Sequence, residues 1–356
     1  MSLSFVYDAA PGRVLFGAGS LARLGEEVRR LGLGRVLVLA TPSHEAEARD
    51  LANELGRLVA GVHAKAVMHV PAAIARAAGD EARRLAADGT VAFGGGSAIG
   101  LAKAVALELG LPILAVPTTY SGSEMTPIWG LTEGGIKKTG RDPRVLPRTV
   151  IYDPALILNL PPATTAVSGV NAMAHCVEAL YAADGNPIAC AMAEEGLRRL
   201  ARNLPAAVRR PADLDARAET LCGAWLAGAC LGSVGMALHH KLCHSLGGSF
   251  NLPHAETHTA VLPHAVAYNA SAAPAAMARI AASIGAESGQ SAAAALFKLA
   301  LSCGAKMRLA DLGLREDDLD RAAELALAAP YPNPRPLDRA GIRRLLEDAY
   351  HGRRPA

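Results

Sequence analysis

The chain has 356 residues, 51% hydrophobic and 19% charged, and carries a net charge of +3. That length allows two domains and a large buried core. The charge is spread without a basic block or a basic-aromatic alternation, which excludes a nucleic-acid footprint and leaves small molecules as partners.

Six cysteines (Cys176, Cys190, Cys222, Cys230, Cys243 and Cys303) form no CxxC pair. They are too sparse for a disulfide scaffold and read as buried apolar side chains in a reducing, cytoplasmic setting. The N-terminal MSLSFVYDAAPGRVLFG has no basic region followed by an apolar one, so no secretory signal is expected. Leu221 to Leu238 is uncharged and long enough to raise a membrane span. Its four glycines and the histidines that follow favour a helix buried in an α-domain, with no membrane partner.

In chain order, Val14–Phe16 reads as a short strand ending in a Gly17-Ala-Gly19 turn, before an amphipathic helix around 21–31. Arg35–Ala40 is a continuous apolar run, the pattern of a strand buried on both faces. A helix at 45–59, a strand at 64–70, a helix at 73–87, a strand at 90–93, a helix after Ser97, and strands at 112–116 and 149–152 follow. This alternation predicts an α/β domain on a parallel sheet, Rossmann-like, over residues 1–155.

Two of its loops carry chemistry. Gly94-Gly95-Gly96-Ser97 lies where a buried strand hands over to a helix, so bare backbone and unpaired N–H groups suit a phosphate or pyrophosphate. Thr118, Thr119 and Ser121 lie at the end of the next strand, on the edge where doubly wound sheets bind nucleotides. Thr41 follows the second long strand, where an acidic residue would hold a ribose 2′-hydroxyl. Its neutrality leaves NADH and NADPH both open. Lys137, Lys138, Arg141 and Arg144 fall in a Gly-rich stretch read as a loop, with Lys137 able to reach the cofactor.

After Asp153-Pro154 alanine, leucine and arginine dominate, and an all-helical domain is expected over 156–356, ending in a helix near 341–350. Asn171 and His175 stand four apart on an otherwise apolar helix and need polar partners. The stretch from His239 to His264 holds six of the eleven histidines. His240 and His244 are four apart, as are His254 and His258, so each pair shares a helix face. Gly247-Gly248 and Asn251-Leu-Pro253 are expected to end one helix and allow another to start near His254. Such crowding points to a metal, a proton-transfer site or an anion pocket.

GGGS with Lys103 behind it, the Pro117-Thr-Thr loop, Ser168-Gly-x-Asn-Ala-x-x-His175, His240, His244 and Pro253-His254 together resemble the iron-containing alcohol dehydrogenase superfamily. The resemblance spans nearly the whole chain. It implies a dinucleotide-binding domain and a helical domain of the dehydroquinate synthase-like architecture, with the site in the cleft between them. The family's metal positions fall on Asn171, His175, His240 and His254, where an amide replaces the usual carboxylate. Gly100 stands where many members carry an aspartate. The run from Pro117 to Gly135, continued by Thr139 to Pro147, is similar to the maleylacetate reductase branch of that superfamily.

That branch implies reduction of the C=C bond of maleylacetate to 3-oxoadipate by NADH, or NADPH, in the breakdown of aromatic compounds, by a homodimer, with no metal expected. On this resemblance His254 and His244 donate hydrogen bonds to the developing enolate while His175 and His240 orient the substrate. Lys241, Lys137, Asn171 and His258 would hold the dicarboxylate. Two alternatives stay open: a metal-dependent alcohol or polyol dehydrogenase on the same scaffold, and a non-catalytic dicarboxylate-binding protein.

Overall fold

The computed structural model describes residues 5, 7, 12–134 and 136–356, and of 136 and 137 the backbone alone. Most of the N-terminal stretch read for a signal therefore lies outside the described residues. Two compact units divide the chain, Ala10–Asn159 and Leu160–Ala356.

In the first unit, β1 (Arg13–Phe16), β2 (Val36–Leu39), β3 (Val59–His63), β4 (Gly89–Gly94), β5 (Ile113–Pro117) and β8 (Thr149–Tyr152) form one parallel sheet in the order β1-β8-β5-β4-β2-β3. Helices α1 (Leu24–Arg30), α2 (Glu45–Leu55), α3 (Ala72–Arg84) and α4 (Gly96–Leu109) connect them. Alternation within each strand builds two cores. Val36, Val38, Val91, Phe93, Leu114 and Val116 pack with Leu24 and Val28 of α1 and Leu51 of α2. Leu37, Leu39, Ala92 and Ile113 pack with Ala75 and Ala78 of α3 and Ile99 and Leu101 of α4. The strands read as unbroken apolar runs because both faces are covered, and each large side chain so buried contributes about 1.5–3 kcal/mol.

Two expectations are corrected here. The third strand runs over Val59–His63, not 64–70, because α2 stops at Leu55 and Gly56 (φ 56°) turns the chain early toward the sheet. His69 and Val70 instead take positive φ (65° and 45°), and their carbonyls accept from the hydroxyl and amide of Thr132 at 2.8 and 3.1 Å. The stretch read as a basic loop is an antiparallel hairpin of β6 (Ile128–Glu133) and β7 (Ile136–Arg141). Lys137 pairs with Thr132 in its register, and its side chain lies outside the described residues.

The second unit is helical: α5 (Pro162–Ala179), α6 (Pro187–Arg209), α7 (Leu214–Ser233), α8 (Leu238–Phe250), α9 (His254–Asn269), α10 (Pro274–Ile284), α11 (Ala292–Ser302), α12 (Leu319–Leu327) and α13 (Arg339–His351). Side chains of Asn186 and Asp213 cap α6 and α7 by accepting from Ala189 N and Ala216 N at 2.9 and 3.0 Å. Leu242, Leu246, Val261, Leu319, Ile342 and Leu346 fasten α8, α9, α12 and α13 into one core. Among the described residues no single helix is long and apolar enough to cross a membrane; α7 and α8, the suspected span, meet at a 94° bend. Gly247-Gly248 do not end α8. It runs on to Phe250 and stops at Asn251, which takes the left-handed conformation (φ 53°), and Pro253 then opens α9.

Candidate active site

Within the sheet unit the loops after β2, β4 and β5 share one edge. The chain leaves β2 toward β3 on one side and β4 toward β5 on the other, so the β2–β4 boundary is the topological switch point where doubly wound folds bind ligands. Gly94 has φ 141°, open to glycine alone, and a Cβ on Gly95 would lie 2.9 Å from the Thr119 side chain. The backbone therefore turns tightly and delivers Gly96 and Ser97 as the first turn of α4, whose free N–H groups suit a pyrophosphate. Thr41 Oγ1 lies 2.9 Å from His44 Nδ1, and His44 Nε2 lies 3.4 Å from the buried Thr118 Oγ1, which joins the β2 and β5 loops. Ser121 Oγ donates instead to Glu124 Oε2 at 3.1 Å.

Lys103, a residue of the recognised pattern, is buried on α4. Its Nζ donates to the carbonyls of Ser123, Thr126 and Ile128 at 2.7–2.8 Å and to Thr126 Oγ1 at 3.0 Å. Burial pulls its ammonium down to about 7, with Glu124 pulling the other way. Lys103 thus pins the loop behind Thr118 and Ser121.

The helical unit gathers the imidazoles. Along α5, Asn171, His175 and Glu178 recur at helical spacing, so they share one face of a helix buried from Thr165 to Ala179. Helix α8 brings His239, His240 and His244, and α9 brings His254 and His258. The His240 ring centroid lies 5.1 Å from that of His175, 4.9 Å from His258 and 6.2 Å from His244, while His254 and His258 are 4.3 Å apart. All five predicted histidines form one cluster. Asn171, His175, His240 and His258 are buried, His254 is half-buried, and His244 is exposed. Lys241 is half-buried, its Nζ 5.9 Å from the Tyr331 ring centroid.

Two further members had no role assigned from the sequence. His239 is fully buried and its Nε2 lies 3.0 Å from His258 Nδ1. Glu178 is the only charged residue of α5 and is fully buried. Its carboxylate lies 2.6 Å from His240 Nδ1 and accepts from Ala237 N at 3.0 Å and His239 N at 2.8 Å. The signal for it lay in the sequence, since Glu178 continues the Asn171–His175 face by one more turn.

Burial lowers the pKa values of His175, His239 and His258 well below the ordinary 6.5, and their imidazole neighbours lower them further. Those three rings are neutral at physiological pH, each with one N–H and one lone pair. Asn171 Oδ1, His175 Nδ1 and His240 Nε2 are buried with no hydrogen-bond partner among the described residues. Ligand nitrogens of His239, His240 and His258 lie within 4.8 Å of one another. Neutral imidazole nitrogens and an amide oxygen, with one ring's second nitrogen held by a carboxylate, make a donor set that suits a divalent transition metal.

The chain is similar throughout its length to known proteins. A maleylacetate reductase from Sphingobium indicum is 55% identical over 99% of both chains, and one from Burkholderia cepacia is 56% identical over 99% of both. A solved maleylacetate reductase from Agrobacterium tumefaciens superposes with a TM-score of 0.95 at 52% identity, covering 99% of this chain and 100% of that one. The family model for iron-containing alcohol dehydrogenases matches residues 11–154, and that for the C-terminal part of the Fe-containing alcohol dehydrogenase family matches 165–350. These matches overturn the expectation that no metal belongs here, because the family they identify implies an iron or other metal cofactor, and the orphaned donors fit one. On this evidence the chain belongs to the iron-containing alcohol dehydrogenase family.

Proposed function

We propose that the protein reduces the C=C bond of maleylacetate to 3-oxoadipate with a nicotinamide cofactor, in the breakdown of aromatic compounds. The observation that carries this reading is identity of 55–56% with curated maleylacetate reductases over 99% of the chain. The imidazole cluster supplies groups the chemistry needs. A bound nicotinamide supplies hydride, and a bound divalent ion supplies Lewis acidity toward the ketone oxygen.

Addition of hydride to the alkene carbon β to the ketone builds negative charge on the ketone oxygen, and the adjacent carbon then takes a proton. His244 and His254, the more accessible rings of the cluster, stabilise that oxygen as hydrogen-bond donors. The buried His175 and His240 fix the pocket's shape, and they would hold the ion with Asn171 as the neutral neighbour. Lys241, with His258, completes the reading as the set that holds the dicarboxylate. The cofactor lies along the Gly94–Ser97 turn with Thr41, Thr118, Thr119 and Ser121. The reading takes the enzyme as a cytoplasmic homodimer, which the family resemblance supports.

The test is NADH absorbance decay with freshly prepared maleylacetate. His244→Ala and His254→Ala should each reduce turnover on the order of a hundredfold, the scale of one lost oxyanion donor, with the circular-dichroism spectrum intact. Near-normal turnover in both would sink the assignment. A metal-dependent alcohol dehydrogenase is the second reading, favoured by the orphaned donors of the cluster. Oxidation of alcohols with NAD⁺, lost on chelation and restored by zinc or iron, with no turnover of maleylacetate, would decide for it.

A further inference from the structure

We infer that Glu178 is a positioning residue that locks His240 in the tautomer protonated at Nδ1 and so keeps the Nε2 lone pair available inside the cluster. An ionised carboxylate only accepts hydrogen bonds. Its Oε2 accepts from Ala237 N at 3.0 Å and lies 2.6 Å from His240 Nδ1, and Oε1 accepts from His239 N at 2.8 Å. Two of these donors are backbone amides at the start of α8, which have no partner within the helix. They fix the carboxylate from one side, and the third direction is left for the His240 ring.

With the single ring proton held on Nδ1, Nε2 is presented as an acceptor. That atom is buried and has no partner among the described residues, and the same holds for Asn171 Oδ1 and His175 Nδ1. Carboxylates that hold the far nitrogen of a ligating or proton-handling histidine set both its tautomer and its basicity. The tautomer holds whichever substrate the site takes, and only the rate consequence below rests on the reductase reading.

Glu178→Gln tests it because the change is isosteric and inverts one contact. With the amide NH₂ at the Oε2 position it faces the His240 ring, which responds by moving its proton to Nε2; with the NH₂ at the Oε1 position it faces His239 N–H instead, and the remaining oxygen keeps the Nδ1 contact. The measurement is ¹⁵N NMR of the full-length protein labelled at histidine, with the His240 resonances assigned by their loss in His240→Asn. The wild type should show a protonated Nδ1 and an unprotonated Nε2. Where its NH₂ faces the ring, Glu178→Gln should lose the unprotonated Nε2 signal, and turnover of maleylacetate should then drop roughly 10- to 100-fold, the scale for such outer partners.

A wild-type ring protonated at Nε2 overturns the tautomer assignment. An unchanged rate in a variant whose tautomer has moved overturns its place in the chemistry. If Glu178→Gln fails to fold, the wild-type spectrum decides alone. A wild type that turns over no maleylacetate refutes the reductase reading and leaves the tautomer result standing.

Discussion

Asn171 is where the metal question concentrates. The family resemblance puts a carboxylate at this position, and the amide keeps the shape and one acceptor oxygen while removing the charge. Its Oδ1 is buried without a partner on the same helix face as His175, itself orphaned at Nδ1. An unpaired buried acceptor is destabilising by roughly 1–3 kcal/mol, so its retention suits a ligand-facing atom. Asn171→Asp should therefore tighten divalent-ion binding by on the order of tenfold or more, since anionic ligands raise affinity for such ions. Zinc titration by calorimetry of metal-stripped protein checks this, and equal affinity in the two proteins would show that Asn171 faces no ion. This residue and His175 were legible in the sequence because polar groups stand out on an apolar helix. Glu178 belongs to the same pattern, extended by one turn. His239 was hidden because pairs at four-residue spacing select His240 with His244, whereas His239 reaches His258 across two helices, a contact that only the α8–α9 packing creates.

At the scale of elements, the parallel sheet and the helical half were readable from periodicity, and the misses fall where a segment lacks a covered face. Strand β3 lies at the sheet edge beside β2, and its half-buried Val59–Val62 is a short apolar stretch that directly follows a helical period, while 64–70, broken by Lys65 and His69, is used as a turn-bearing connector. The β6–β7 hairpin is two-stranded and partly exposed, and its sequence signal is the Gly134-Gly135 pair between two six-residue runs rather than any core pattern. What ties this region together is Lys103. Its ammonium gathers carbonyls from Ser123, Thr126 and Ile128, the first two in the connection ahead of the hairpin and the third at its start. Lys103→Met keeps the stem and removes the donors, leaving buried carbonyls short of partners at roughly 1–3 kcal/mol each. The expected loss of about 3 kcal/mol or more corresponds to a drop in thermal midpoint of roughly 10 °C at 2–4 °C per kcal/mol. An unchanged midpoint would mean that other donors replace the ammonium.

For the molecule as a whole, the buried histidines predict which way stability moves with pH. His264, on α9 beyond the cluster, has a buried Nε2 with no partner and is held down to about 4 by burial, against a small opposing pull from Asp348. In the unfolded chain the same ring titrates near 6.5. Between these values the unfolded state binds a proton that the native state refuses, so stability is full above 6.5 and is lost as pH falls toward 4. For His264 alone the loss is about 2 kcal/mol by pH 5 and about 3 kcal/mol by pH 4. His175, His239 and His258 are shifted in the same direction and steepen the slope. Carboxylates held below their ordinary range act in the opposite compartment of the titration. Glu27 is one, where burial pushes up and hydrogen bonds from Arg30 and Arg13 together outweigh it, and its contribution is lost only below about pH 4.5. Glu124, whose burial raises its pKa, works the other way from 4.5 upward, so the fall in stability between 6.5 and 4.5 is the histidines' effect set against that one carboxyl. Urea unfolding at pH 7.5 and pH 5.0 should show a marked loss of stability at the lower pH, and His264→Leu should shrink that loss by about 2 kcal/mol by removing one group that titrates only when unfolded. Parallel pH dependence in the two proteins would mean that His264 takes up its proton in the native state, and that its side of α9 admits enough water to solvate the charge.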